Sequence, residues 1–555
     1  VTIARETLRW NGWGRLGESM ELSRAREAAL LAELSRRFGR GLSPSPPPVE
    51  LDALRLPPSK VPAETLAQLR AACGDEGVRT SAFERVHHAL GRSLPDLLRL
   101  RRGDIERFPE VVVYPGDEGA VAAVLRIAAQ AALAVVPFGG GSSVVGGVEP
   151  RSGPEQTGAL CLDSTRLDRL LRIDRDSGTA TFEAGVDGPA LEAMLAAQGL
   201  TLGHFPQSFE HSTLGGWIAT RSVGQQSDGY GSIAELLVAL RMVTPEGVVR
   251  TIEVPRSASG PDWNQLVLGS EGALGVIVEA TVRVRPAPRA RAIRGLLFRD
   301  FASGVAAVRT MRQAGIPLSM ARLSDAAETE LHVLLRRDPA RRVDPTARVL
   351  DIAARAGWGN GRCTLLYGAE GGETRAVRRA LREARTIGIR RGGLPVGPGP
   401  GRSWYRERFR TPYLRDWLLD HGVAVDTMET AFSWSRLEGA HEAVTAALRA
   451  ALETQAGAGL AMAHLSHSYR DGACLYFTAL WPLAESGALE QWAGIKRAVT
   501  DAIVAAGGTL SHHHGVGVDH VAWLARERGT LALAALRGAK AALDPRGLMN
   551  PGKLL

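Results

Sequence analysis

Apolar and polar positions change rhythm several times along this chain. In "ELSRAREAALLAELSRRFG" (21–39) apolar residues recur every three or four positions, the spacing of an amphipathic helix, so residues 1–43 are predicted to be mostly helical. The proline-rich stretch "LSPSPPPVELDALRLPPSKVP" (42–62) breaks that pattern and is predicted to run extended across a surface, ahead of a second helical stretch over about 62–104. From about 108 the runs turn β-branched. "EVVVYP" reads as a short strand, "DEGAVAAVLRIAAQAAL" as a helix with Asp117 in its first turn, and "AVVPFGGG" as a strand entering a glycine loop. "GALCLDSTRL", "LLRIDRDSGTATFEAG", a helix at 188–198 and the strand "GVIVEATVRVRPAP" complete an α+β unit ending near 287. Between 290 and 500 the strands "IRGLLF", "RCTLLYGAEG" and "CLYFTALWP" alternate with the helices "SGVAAVRTMRQAG" and "EQWAGIKRAVTDAIVAAGG". This is the pattern of a second α+β domain over an antiparallel sheet. The tail from 509 carries "SHHHGVG" and ends "ALDPRGLMNPGKLL"; no internal repeat is evident.

Composition narrows the function classes. With 555 residues, 45% hydrophobic and 23% charged, the chain can bury two or three domain cores. It has no run of about 18 uncharged apolar residues, and its first residues lack the apolar core of a secretory signal, so a cytoplasmic protein is expected. The net charge of +8 comes almost wholly from arginine, since lysine occurs only at Lys60, Lys496, Lys540 and Lys553. The arginines are scattered rather than gathered in a basic tail, which argues against nucleic acid and leaves anionic substrates or a lipid surface as partners. Cys73, Cys161, Cys363 and Cys474 are far apart, so neither a zinc site nor a disulfide framework is implied.

Two features carry candidate chemistry. One is the triplet His512, His513 and His514, set among glycines, because imidazole is the side chain most easily poised to move a proton near neutral pH. In a strand, His512 and His514 would share a face with His513 opposed. The other is "PFGGGSSVVGG" (137–147), whose backbone N–H groups can converge on phosphate oxygens. No Gly-Lys-Ser/Thr follows, so it is not a P-loop, and its spacing does not fit the Rossmann fingerprint. "HFPQSFEHSTLGGWIATRSVGQQSDGYG" (204–231) and "LVLGSEGALGVIVEATVRV" (266–284) add further glycines and hydroxyls. Three such loops in one domain suit a long dinucleotide in an extended cleft.

These three segments, in this order, resemble the FAD-binding domain of the vanillyl-alcohol oxidase flavoprotein superfamily. Within it the chain resembles the alkyldihydroxyacetonephosphate synthase family, through "RWNGWG" (9–14), "PLSMARLSD", "YLRDWLLDHGVAVDTMETAFSWSRL", "YRDGACLYF" and "SHHHGVG". The resemblance implies an α+β protein with the two-subdomain FAD-binding fold of the vanillyl-alcohol oxidase type and an α+β cap over an antiparallel sheet. It also implies a division into an N-terminal helical region (1–105), an FAD-binding domain (106–289), a cap (290–508) and a C-terminal segment (509–555) that carries the triplet back to the FAD domain.

The implied activity exchanges the acyl group of acyl-dihydroxyacetone phosphate for a fatty alcohol, with no net redox change, the flavin N5 holding the dihydroxyacetone phosphate carbon. By motif, Tyr476 falls at the proton donor and acceptor, Arg415 at the substrate-binding arginine, Arg322 at an activity-critical arginine, and the triplet at the active-site histidines. An unperturbed phenol titrates near ~10, so Tyr476 needs a positive neighbour or the histidines to act as a base. The implied FAD contacts are Pro137, Phe138, Gly139, Gly140, Gly141, Ser142 and Ser143 in the first loop. Gln207, Ser208, Ser212, Thr213, Gly215, Gly216, Thr220 and Ser222 supply the second, and Glu271, Gly272, Gly275, Val276 and Ile277 the third. The first loop offers no His, Cys or Tyr for covalent attachment, so FAD is expected to bind noncovalently, with His211 the one exception nearby. Lipid substrates are the implied partners, and a homodimer and peripheral contact with a membrane surface are left open.

One departure supports an alternative. The ending "NPGK" resembles that of FAD-dependent 2-hydroxyacid dehydrogenases of the same superfamily. Their metal-dependent members carry Glu-His-Gly where this chain has His513, His514 and Gly515, so no metal is expected, His464 and His467 being the residual candidates for one.

Overall fold

The computed structural model describes residues 5–336 and 352–555. Three sheets organise it. The first runs Val78–Arg79, Val111–Val113, Gly158–Asp163, Leu133–Phe138, its last three strands parallel and buried along almost their whole length. That burial explains why their sequence is continuously apolar rather than alternating. The second is antiparallel, ordered Leu170–Asp174, Thr179–Glu183, Val276–Arg283, Leu237–Thr244, Gly247–Arg250. The third is a seven-stranded antiparallel sheet of Leu394–Gly397, Ala290–Phe298, Cys363–Gly371, Met320–Ser324, Leu460–Ser468, Gly472–Pro482 and Val423–Ser433, in that order. The helices Phe301–Gln313, Thr374–Arg390, Trp434–Ala456 and Ala488–Ala505 bury apolar faces against it in the largest core of the molecule. The architecture is α+β, as expected.

The N-terminal region departs from the helical expectation. Among the described residues of 1–43, only Arg24–Phe38 is an α-helix, with one 3-10 turn at Arg5–Thr7. Between them Gly14 and Gly17 take positive φ (+82° each), and Trp10 and Trp13 are buried against the rest of the protein, so tertiary contacts rather than helical period set this segment. The predicted 62–104 stretch is three helices, Ala63–Cys73, Ala82–His87 and Leu94–Arg102. They are interrupted by Val78–Arg79, a strand too short to show a period of its own. Asp117 is the N-cap of Glu118–Gln130, its carboxylate accepting from Ala120 N at 2.8 Å. The tail returns to the first sheet: Val135 N donates to Leu548 O and Asn550 N to Val135 O, both at 2.8 Å. No helix among the described residues is long and apolar enough to cross a membrane.

Candidate active site

A cavity of 1230 Å³ lies between the seven-stranded sheet and the three glycine segments. Every residue expected to contact FAD lines it. The glycines are required by close approach. A Cβ on Gly140 would stand 1.7 Å from the His211 carbonyl oxygen, one on Gly139 2.3 Å from Thr213 Oγ1, and Gly141 takes φ +68°. The N–H groups of Gly140, Gly141 and Ser142 donate to no partner among the described residues, leaving a cradle of free donors where a pyrophosphate fits. Glu271 closes the other side. At φ +51°, its carboxyl accepts from Val516 N (2.6 Å) and Gly517 N (2.7 Å), and burial pushes it up to about 7. It thereby pins the turn that follows the histidines to the third glycine segment.

The chemistry-bearing side chains form a row across three strands. Tyr476 lies directly opposite His464 on one neighbouring strand and Glu429 on the other, and directly paired residues point to one face. The His464 ring stacks on Tyr476 at 4.8 Å. Tyr476 is itself raised by burial to about 12, the Thr427 hydroxyl and the Arg322 charge pulling back only in part.

The triplet is not a strand. It is a turn wrapped around Glu429, whose carboxylate accepts from Ser511 Oγ (2.7 Å), His513 N (3.1 Å), His514 N (2.8 Å) and His512 N. The alternating-face expectation therefore fails, because a buried carboxylate gathers successive N–H groups to one point. His513 and His514 line the cavity, and His512 does not: its Nε2 meets the Tyr469 hydroxyl at 2.7 Å and its Nδ1 meets His513 Nδ1 at 3.0 Å. Burial opposes charge on Glu429, but the rings of His513, His514 and His512 and the Ser511 hydroxyl hold it below the usual carboxylate range. Burial pushes His512 and His513 down to about 4 and His514 down as well, so the rings stand neutral near pH 7.

The two arginines differ in what they have left to offer. Arg322 is engaged through its Nη2, which contacts Glu328 Oε1 (3.0 Å) and His464 Nδ1 (3.1 Å), while its buried Nε has no partner among the described residues. Arg415 donates once, from Nη1 to Arg92 O at 2.7 Å, while its buried Nε and Nη2 have no partner among the described residues. A desolvated guanidinium with two free donors facing a cavity has the geometry and charge to hold an anion.

Residues 109–253 match the family model described as FAD binding domain, and 287–554 the one described as FAD linked oxidases, C-terminal domain. The alkyldihydroxyacetonephosphate synthase of Trypanosoma brucei brucei is 33% identical over 100% of this chain and 93% of its own length. That of Dictyostelium discoideum is 34% identical over 92% of this chain and 83% of its own. The chain belongs to the alkyldihydroxyacetonephosphate synthase family. A solved synthase of that name superposes with a TM-score of 0.83 at 29% identity, covering 99% of this chain and 97% of that one. Substrate-bound p-cresol methylhydroxylase (TM-score 0.67, 16% identity, covering 90% of this chain and 98% of its own) shares the fold.

Against the synthase family, the residues missed in sequence stand out. Glu429 and Glu328 complete the row and the arginine network, yet each reads as an ordinary strand or helix residue, and His464, expected only as a metal candidate, joins them by stacking on Tyr476. Glu429 had a signal in the alternation of "VDTMETAF", which puts a carboxylate on the face of Tyr476 through the strand pairing. His467 is turned to Ser227 Oγ (2.9 Å) and His464 to Glu328 Oε1 (2.8 Å), so the two do not converge as a metal pair. Donor atoms of Glu429, Cys474, His512 and His513 do lie within 4.8 Å of one another. The Glu429 oxygens are already engaged by N–H and O–H donors, and burial holds the Cys474 thiol well above its usual range, so the set serves as a hydrogen-bond network. His211 does not line the cavity; its ring packs edge-on against Trp13 at 5.4 Å.

Proposed function

We propose that this protein is an FAD-dependent alkyl transferase of the alkyldihydroxyacetonephosphate synthase type, exchanging the acyl group of acyl-dihydroxyacetone phosphate for a fatty alcohol. The observation that carries the reading is one cavity joining three environments: the glycine cradle, the free guanidinium of Arg415, and an apolar arm walled by Leu331, Leu335, Leu414, Leu418, Met462 and Leu480. FAD, when bound, supplies a nucleophilic ring nitrogen for a redox-neutral exchange. Arg415 holds the substrate phosphate, and the apolar arm takes the alkyl chains, whose burial is worth about 0.8 kcal/mol per CH₂. Tyr476 moves a carbon-bound proton, with neutral His513 and His514 beside it to relay the proton or steady the phenolate. Arg322 fixes His464, which fixes the Tyr476 ring.

In this reading residues 106–289 carry the cofactor noncovalently, residues 290–508 cap it, residues 509–555 bring the triplet to its edge, and 1–105 buttress the cap. The protein works in the cytoplasm at the surface of the membrane that supplies its lipids. The test is exchange itself. FAD-loaded protein given acyl-dihydroxyacetone phosphate and labelled fatty alcohol should release fatty acid and form labelled ether lipid. Flavin bleaching by 2-hydroxyacids without ether product would overturn the reading in favour of a dehydrogenase.

A further inference from the structure

The glycine loop has a second neighbour. It presents Val145, Gly147 and Val148 to the flavin cavity, and Gly146 and Glu149 to a separate cleft of 240 Å³ that shares none of the cavity's lining residues. The cleft lies between the helices Leu94–Arg102 and Ala488–Ala505 and the turn after the histidine triplet.

Its charges do not cancel. Of its carboxylates, Glu149 is paired with Arg107 (2.7 Å) and Arg151 (2.9 Å), and Asp96 also accepts from Ser93 N in the capping box of its helix. Lys496 is 5% exposed and reaches the cleft with no hydrogen bond or ion pair to its ammonium group among the described residues. Arg99 and Arg497, also in the lining, likewise have no side-chain partner among the described residues. Against these three cations stand two carboxyls, Asp96 and Asp519, both raised by burial, Asp519 to about 7, so the cleft stays net cationic at neutral pH. Trp492 and Trp523 add indole surface, their N–H groups already donating to Asp426 (2.7 Å) and Asp501 (2.9 Å). An ammonium and two guanidiniums that share one cleft without a hydrogen-bonding side-chain partner among the described residues suit a compact anion with several oxygens.

We propose that this cleft is a second anion site, taking a phosphate group between Lys496, Arg99 and Arg497. Val518 N and Asp519 N both donate to Val145 O (2.9 and 3.3 Å), so an occupant braces the flavin loop from the side away from the cavity.

Free phosphate and the phosphate of a lipid headgroup offer the same oxygens, and the test separates them. FAD-loaded protein carrying Arg415→Ala, which silences the anion site of the main cavity, is titrated with inorganic phosphate while tryptophan fluorescence is followed. It is then offered vesicles of phosphatidylglycerol or of phosphatidylcholine. A saturable response to inorganic phosphate identifies a soluble anion; binding to phosphatidylglycerol vesicles without that response identifies a headgroup. In either case Lys496→Gln should weaken the response about tenfold or more. Arg497→Gln, at an exposed position that folding does not depend on, should weaken it several-fold, with flavin content unchanged in both variants. Absence of both responses, or responses that both variants leave intact, would overturn the proposal.

Discussion

Glu429 and Tyr476 are directly paired on adjacent antiparallel strands, and the same Glu429 carboxylate accepts the His514 amide at 2.8 Å. One buried carboxylate therefore fixes the histidine turn relative to the phenol. Glu429→Gln replaces an all-acceptor group with one that presents an N–H₂ to N–H donors. We expect a loss of about 2 kcal/mol or more of stability, seen as a lower Tm, and a fall in exchange rate that exceeds the loss of folded protein. A variant that keeps both its Tm and its rate would remove Glu429 from the organisation of the site.

Tyr476→Phe keeps the ring that stacks on His464 and removes the hydroxyl. Exchange should fall by about 10²- to 10⁴-fold while flavin absorbance per protein stays at the wild-type value. Because burial raises this phenol to about 12, the activity of the wild-type protein should not show a simple rise with a pKa near 10. Near-normal turnover in the phenylalanine variant would assign the proton to another group, with His513 the next to test.

Arg415→Ala removes a cavity-lining arginine that has two buried donors, Nε and Nη2, without a partner among the described residues. Steady-state kinetics should show KM for the phosphorylated substrate raised by about 10- to 100-fold, with a smaller change in kcat. Arg322→Ala should do the reverse, lowering kcat with little change in KM, because its Nη2 is held in the Glu328 and His464 network that positions the Tyr476 ring.

How much of this was legible follows from which physics wrote each element. The buried strands Val111–Val113 and Leu133–Phe138 and the helix Glu118–Gln130 declare themselves by composition and capping, which are local. The glycine segments were legible because close backbone approach admits few residues other than glycine. The two-residue strand Val78–Arg79 and the irregular run from Leu8 to Leu22 were not, since non-local partners set them: Val78 pairs with Val113, and Trp13 N donates to Asp416 Oδ2 at 2.6 Å. The same holds for the site. Tyr476 and the triplet lie in recognisable motifs, whereas Glu429 and His464 acquire their place beside Tyr476 from strand register and Glu328 from its contacts with Arg322 and His464. The strand-based reading of the triplet failed because nothing local to "SHHHGVG" announces a carboxylate beneath it.

Gly140→Ala tests the cradle without touching a side chain. Its Cβ would fall 1.7 Å from the His211 carbonyl, a backbone atom that cannot swing away, so the loop must shift. The variant should purify with little or no flavin. Gly216→Ala, whose Cβ would stand 3.2 Å from the Thr213 hydroxyl, asks for a smaller adjustment and should keep most of it. The ratio of flavin to protein absorbance reads both. In wild-type protein, acid precipitation should release all the flavin to the supernatant, since the first glycine loop carries no His, Cys or Tyr and His211 beside it is turned to Trp13.

Acid should destabilise this protein before its surface carboxylates titrate. Burial holds His211, His332, His512 and His513 down to about 4, and His204 and His520 to about 3, from an ordinary 6.5. A histidine whose folded pKa is depressed favours the folded state above its unfolded pKa. That contribution disappears as pH falls from about 6.5 through 4, because the unfolded chain takes up the protons. Asp228, Glu271 and Asp519, raised to about 6, 7 and 7, work in the opposite sense, losing stability as pH rises across much of the same window. The six histidines outnumber these three carboxyls, so the net slope should be a loss of stability on acidification. Tm measured from pH 7.5 to 5 should fall steadily, and His513→Gln should flatten the slope by removing one of the titrating rings. A Tm that rises toward pH 5 would mean that the raised carboxyls dominate and that the triplet's rings are not held neutral.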